Sequence, residues 1–168
     1  MHVIKTIGID VAPSSDIARV LGRLPSGLLV LTVRNGKQET GMLASWVMQA
    51  GFMPPAITVA VRRDRYIGQW LADGLPFVLS LLGSGQTGLL RHFRRGFSPG
   101  QSPFVTIEIE RTAKGVAALR DALGYLECEP DGYMDSGDHR IFLAKITAGK
   151  MATELPPMIH VRRSGMHY

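Results

Sequence analysis

The chain of 168 residues is 45% apolar and 20% charged, with 19 glycines and 10 prolines, a composition that excludes a disordered or collagen-like polymer and leaves one globular domain. Its formal charge of +5 at pH 7 is scattered over short groups, Arg62-Arg63 with Arg65, Arg94-Arg95 and Arg162-Arg163. That distribution argues against nucleic acid as a partner and for a field that draws small anions.

Cys128 is the only cysteine, so no intrachain disulfide and no multi-cysteine metal site forms, and a reducing, cytoplasmic setting is expected. The opening "MHVIKTIGIDVAPSSDIARV" has no charged head followed by an apolar core, and no run reaches about eighteen apolar residues, so neither secretion nor a membrane is expected. Residues 1–168 read as a single domain, with 1–20 as a loosely held arm.

The first firm strand is "GLLVLTV", 27–33, and Asn35-Gly36 after it suits a tight hairpin turn into a partner strand from about Lys37 to Ala44. "AITVAV" at 56–61 and "PFVLSLL" at 76–82 predict two more strands. Between them Asp64 is placed to cap a short helix that buries Ile67, Trp70 and Leu71 and stops at Gly74. "GSGQTG", 83–88, lacks the Gly-Lys-Ser/Thr ending of a P-loop and reads as the turn that opens a second helix through Leu89, Leu90 and Phe93. Residues 113–122, "AKGVAALRDA", predict a further helix. The segment 123–149 predicts a long hairpin, with a strand to Glu129, a loop of Pro, Asp, Gly and Ser, and a return strand from His139 to Ile146. Six or so strands and few short helices make a mainly β domain, whose closure into a barrel would protect its strand edges.

Three stretches carry chemistry. In "GMLASWVMQAGFMPP", 41–55, Ser45 falls just past a strand end, where it either bonds to its own backbone in a turn or donates to a ring or a phosphate beside Met42, Leu43 and Trp46. Arg62, Arg63 and Arg65 flank Asp64 at a helix start, which reads either as a solvated basic turn or as a phosphate site. His139 follows Asp138, which is placed to orient the imidazole as donor or proton shuttle; a lone histidine also serves structure alone. The five histidines are spread out with no carboxylate at ligand spacing, so no metal site is expected. Cys128 reads as inert packing.

In order along the chain, "GRLPSGLLVLT", "MLASWVMQAGFMPP", "TVAVRRDR", "LRHFRRGFSPG", "YLECE", "GDHRIFLAKIT" and "GMHY" resemble the FMN-binding split β-barrel family of flavin reductases. The match is nearest to the C-terminal flavin reductase domain of cyanobacterial flavodiiron proteins and covers residues 18–168. The resemblance implies a Greek-key, flavin reductase-like split barrel with a few short helices. It also implies bound FMN, with FAD as the other option, and NADH or NADPH as co-substrate. Carried over by position, it implies that Met42, Leu43, Ala44, Ser45, Trp46 and Gln49 line the flavin. Arg63, Asp64 and Arg65 approach its phosphate. His139 is the catalytic candidate near flavin or nicotinamide, with Tyr168 and Phe93 as further contacts. The chain departs from relatives at Met48, Gly51 and Ser80, and it has no carboxylate–histidine cluster for two irons.

The implied activity is NAD(P)H:flavin oxidoreduction by a homodimer, with electrons passed to free flavin, a flavodiiron protein or another acceptor. An FMN-binding electron-transfer module, an oxidase of a small amine phosphate and a relative that has lost flavin are the alternatives.

Overall fold

Strand formation follows the aliphatic runs of the sequence throughout residues 15–166, the part of the chain that the computed structural model describes. The elements are α1 (Ser15–Gly22), β1 (Ser26–Gly27), β2 (Leu29–Asn35), β3 (Gln38–Ala44), β4 (Val47–Phe52), β5 (Pro55–Arg62) and α2 (Tyr66–Ala72). They continue with β6 (Phe77–Leu81), α3 (Thr87–Arg94), β7 (Ile109–Arg111), β8 (Ala117–Leu119), β9 (Gly124–Ser136), β10 (His139–Met151) and β11 (Ile159–His160).

Seven strands form one antiparallel sheet in the order β3-β2-β6-β9-β10-β5-β4. Its two edge strands, β3 and β4, are consecutive in the chain and joined only by Ser45 and Trp46. Laid flat, those edges would be about 29 Å apart at the usual spacing of strands, whereas the link from Ala44 to Val47 reaches at most about 11 Å. The sheet therefore curls round until its edges nearly meet, giving a barrel with a seam. The Ala60 N–H donates to the Trp46 carbonyl at 3.0 Å and holds the link against β5.

Alternate residues then face inward or outward. Leu31, Val33, Val59, Val61, Phe77, Leu79 and Phe142 fill the inside, and Ile67 and Leu71 of α2 join them. On the outer face of β2, β3 and β6, Val30 and Leu43 lie under Phe93 of α3, Phe104 and Leu119 of β8. The Thr32 hydroxyl donates to the Ala117 carbonyl at 2.5 Å and the Leu119 N–H donates to Ser80 Oγ at 3.1 Å, so both buried hydroxyls fasten β8 to the sheet. Ser80 thus serves packing. The outer face of β4, β5, β10 and β9 has no such cover among the described residues. There Met48 lies opposite Thr58, Thr58 opposite Leu143, and in the next row Ile141 lies between Ala60 and Met134. Met48 is 70% exposed, Leu143 41% and Met134 38%.

Several local expectations are corrected. Asn35 pairs with Gln38, so the hairpin loop is Gly36-Lys37, with Gly36 alone at positive φ (60°). Residues 113–122 are not a helix: the Thr112 N–H bonds the Val116 carbonyl, Gly115 turns at φ 74°, and β8 pairs with β7. The late hairpin is longer than its sequence suggests, because β9 runs on through Pro130 to Ser136 before a two-residue turn. β6 pairs with β9 only as far as Cys128, and Asp131 is an extra residue between Pro130 opposite Ala144 and Gly132 opposite Leu143. Proline is tolerated at such a bulge beyond the paired edge.

Asp64 does not cap α2. The cap position is Arg65, without a side-chain bond, and Asp64 pairs with Arg62 at 2.7 Å. Of the expected arm, residues 15–20 belong to α1, where the Ala18 carbonyl accepts the Gly165 N–H; residues 1–14 lie outside the described part. No helix among the described residues is long and apolar enough to cross a membrane.

Candidate flavin site at the barrel seam

Three connections meet at one end of the seam: the Ser45-Trp46 link, the turn from β5 to α2, and the turn from β9 to β10. The ladder sets His139 opposite Arg62, and the Arg63 N–H donates to the Asp138 carbonyl at 2.9 Å, tying the second connection to the third. The Arg63 guanidinium also reaches the Gly137 carbonyl at 3.4 Å. Trp46 and His139 project from the outer face two ladder positions apart, and their rings pack together with centroids 4.6 Å apart and planes tilted by 39°.

His139 is 7% exposed, and its Nδ1 lies 2.7 Å from Asp138 Oδ1. The His139 hydrogen bond, larger than any opposing effect of burial, holds the Asp138 carboxyl below its ordinary value of 3.8. An ionised carboxylate only accepts, so Nδ1 carries a proton and the ring orientation is set by Asp138.

The turn from β5 to α2 borders a cavity of about 260 Å³ lined by Arg62, Arg63, Asp64, Arg65, Tyr66, Gly68, Gln69 and Arg140, a lining that includes neither Trp46 nor His139. Arg62 is matched by Asp64 and Arg140 by Asp135, both at 2.7 Å. Arg63 and Arg65 enter no ion pair among the described residues, so their charge is available to an anion. The Ser45 hydroxyl, half-buried at the seam, makes no hydrogen bond among the described residues either, so the local-turn reading of Ser45 is not realised. Two unmatched guanidiniums and a hydroxyl donor near packed rings fit a phosphate-bearing heterocycle such as a flavin nucleotide.

Of the residues singled out in the sequence, Trp46 and His139 meet, Ser45 adjoins Trp46 in the link, and Arg63, Asp64 and Arg65 line the neighbouring cavity, joined to the pair through the Arg63 N–H on the Asp138 carbonyl. Met42 and Ala44 point into the barrel interior and Leu43 into the outer core, so only their backbone borders the seam. Gln49 is exposed on β4, its amide reaching the Gly51 carbonyl at 3.4 Å. Phe93 is 2% exposed and packed over the sheet against Phe104, with Gly41 beneath it; it belongs to the core. Tyr168 lies outside the described residues. Arg162, whose guanidinium sits 5.0 Å from the centre of the Trp46 ring, is the residue that sequence reasoning missed. No local signal marks it, because it arrives from the far end of the chain. Cys128 is buried, and burial raises its thiol to about 12, which leaves it unreactive. No group of three or more His, Cys, Asp or Glu placed to hold a metal occurs among the described residues.

A seven-stranded antiparallel barrel that is open along a seam, with a basic turn at its end, is the fold of the flavin reductases among solved structures. Residues 21–167 match the model of the flavin reductase like domain, and the chain belongs to that family. It is 38% identical over 158 residues to the putative diflavin flavoprotein A 6 of Nostoc sp., covering 93% of this chain and 28% of that protein. It is 39% identical over 156 residues to diflavin flavoprotein A 1 of Synechocystis sp., covering 92% of this chain and 27% of that protein. The chain thus spans little more than a quarter of these relatives. Among solved structures, the NADH:FAD oxidoreductase SgcE6 of Streptomyces globisporus superposes with a TM-score of 0.79 at 29% identity, covering 85% of each chain. The same enzyme has been seen with NAD and FAD fragments.

Proposed function

We propose that the chain binds FMN at the seam and works as an NAD(P)H:flavin oxidoreductase. The observation that carries this is the basic turn of Arg63 and Arg65, tied by the Arg63 N–H to the Asp138 carbonyl and so set next to the His139 ring that packs on Trp46. FMN is favoured as the resident flavin, because one terminal phosphate suits one basic turn; FAD would use the same turn. When bound, the flavin supplies the acceptor for a hydride from nicotinamide at N5 and passes electrons on to free flavin or a partner's redox centre.

The chain's own residues bind and orient. Arg63 and Arg65 hold the phosphate through charge-assisted hydrogen bonds, and Asp64 keeps Arg62 turned aside from it. The Ser45 hydroxyl donates to the ring edge, with Gln49 and the backbone of Met42, Leu43 and Ala44 bordering it. Trp46 excludes water from the reacting face. His139, its ring oriented by Asp138, serves flavin or nicotinamide as donor or proton shuttle. No strong base is required, because the reaction needs alignment and stabilisation of growing negative charge.

The bare outer face favours a homodimer. Trp46 and His139 lie on the same face as Met48, Leu143 and Met134, so a second copy seated there borders the flavin site. The cytoplasm is the compartment that this reading assumes.

A second reading is an electron-transfer module of a flavodiiron-type system with little NAD(P)H activity of its own. It is favoured by the diflavin flavoproteins in which this chain spans 27–28% of the length. Anaerobic mixing of the FMN-loaded protein with NADH or NADPH separates the two. Bleaching of the visible flavin band is expected; a band that stays oxidised at saturating nucleotide sinks the reductase reading and leaves the module.

A further inference from the structure

The basic turn is backed by a segment that does not line its cavity. After α3 the Gly96 N–H donates to the Phe93 carbonyl at 3.3 Å and Gly96 takes φ 70°, which ends the helix and brings residues 96–97 against the start of α2. A first side-chain carbon at Gly96 would lie 3.4 Å from Arg65 Nη1, so the Arg65 guanidinium rests against this backbone. The Tyr66 hydroxyl lies 3.1 Å from the Phe97 carbonyl and 2.5 Å from Thr40 Oγ1 of β3. A carbonyl only accepts, so Tyr66 donates to Phe97 and accepts from Thr40. The Phe97 ring is held in the roof, its centre 5.9 Å from that of Phe93 and 5.3 Å from that of His92.

The backbone of Arg65 is fixed as well: its N–H donates to the Arg62 carbonyl and its carbonyl accepts the Gly68 N–H, both at 3.0 Å. What is left to fix is the long side chain. A guanidinium that roams in the unbound protein loses rotamer freedom when it grips an anion, and a wall that already confines it lowers that cost.

We propose that Tyr66 is a positioning residue for flavin binding: its hydroxyl holds the Gly96-Phe97 segment against the Arg65 guanidinium and so preorganises Arg65 for the phosphate. The inference rests on the reading of Arg63 and Arg65 as the phosphate site. Through it the roof acts on the site, although Phe93 itself stays in the core.

The test titrates FMN and riboflavin into the flavin-free full chain and reads the ratio of their affinities, with urea unfolding of each variant alongside. Tyr66→Phe keeps the ring and removes the hydroxyl, but it strands the hydroxyl of Thr40, a residue only 3% exposed. Tyr66→Phe with Thr40→Val removes both polar groups together, and this pair decides the matter where the single variant is destabilised. In both, FMN should bind about fivefold more weakly relative to riboflavin, the size of one net hydrogen bond. In an Arg65→Ala background, adding Tyr66→Phe should leave the ratio within about twofold, because the residue it acts through is gone.

An unchanged ratio in the paired variant overturns the positioning role. So does an equal loss of both flavins, which is what a purely structural role would give, or a further fivefold fall in the Arg65→Ala background. The two readings fail differently. If Arg65→Ala by itself leaves the ratio unchanged, the phosphate reading of Arg65 ends and takes this inference with it; if that variant lowers the ratio and the Tyr66 variants do not, the positioning role alone is lost.

Discussion

Across β2, β3 and β6 the outer face of the sheet is roofed by α3 and β8, while across β4, β5 and β10 the same face carries Met48, Ile141 and Leu143 without cover among the described residues. Both halves come from strands that are apolar on alternate positions and on many of the positions between. In the roofed half the outward residues are needed by this chain's own core, and even its polar outward groups, Thr32 and Ser80, are bonded to β8. In the bare half the inward residues already complete the barrel interior, so the outward ones contribute to stability only when another surface covers them. Apolar character therefore has two meanings in one sheet, and the proposed flavin site lies at the border of the half that looks outward.

The sharpest way to break this comparison is Phe93→Ala in the roofed half. A cavity there should cost about 3–5 kcal/mol in urea unfolding; a loss of flavin affinity without loss of stability would return Phe93 to the site. In the bare half, Leu143→Glu should weaken self-association by about 2 kcal/mol or more, seen by sedimentation, with the far-UV spectrum preserved. A mass unchanged from that of the wild type would remove this face from the proposed interface.

At the border, Arg63→Ala with Arg65→Ala should loosen FMN by about tenfold to a hundredfold and riboflavin far less. Equal losses for the two ligands, read by fluorescence titration, would reject the phosphate assignment. The smallest effect belongs to Asp138, whose side chain is 82% exposed. Because its carboxyl is depressed below 3.8, the stability it contributes is present above that value and is lost as pH falls through the folded-state value. Solvent screening keeps Asp138→Asn within about 0.5 kcal/mol at pH 7. The wild-type advantage should vanish in strong acid when unfolding is followed at both pH values.

Much of this was legible in the residues. The strands at 29–35, 38–44, 55–62 and 77–81 are aliphatic or β-branched runs with turn residues at their ends, and they form almost where expected. The failure at 113–122 has a definite cause: Val116, Ala117, Ala118 and Leu119 are all buried in succession, and such a run looks the same in a covered strand as in a buried helix. Pro130 hid the length of β9 because the bulge that accommodates it is a property of pairing, not of the local sequence. At the site, the basic turn and the Asp138–His139 pair are local and were visible. Arg162 was not, because its place over Trp46 depends on β11 pairing with β1 and on its backbone contact with Gly22.

The short link from β3 to β4 has an optical consequence. The chain has two tryptophans: Trp70 packs against the barrel interior, while Trp46 is half of the link itself and packs on His139. A Trp70→Phe protein therefore emits only from the clasp of the barrel, and its fluorescence is a built-in gauge of what enters there, with no label attached.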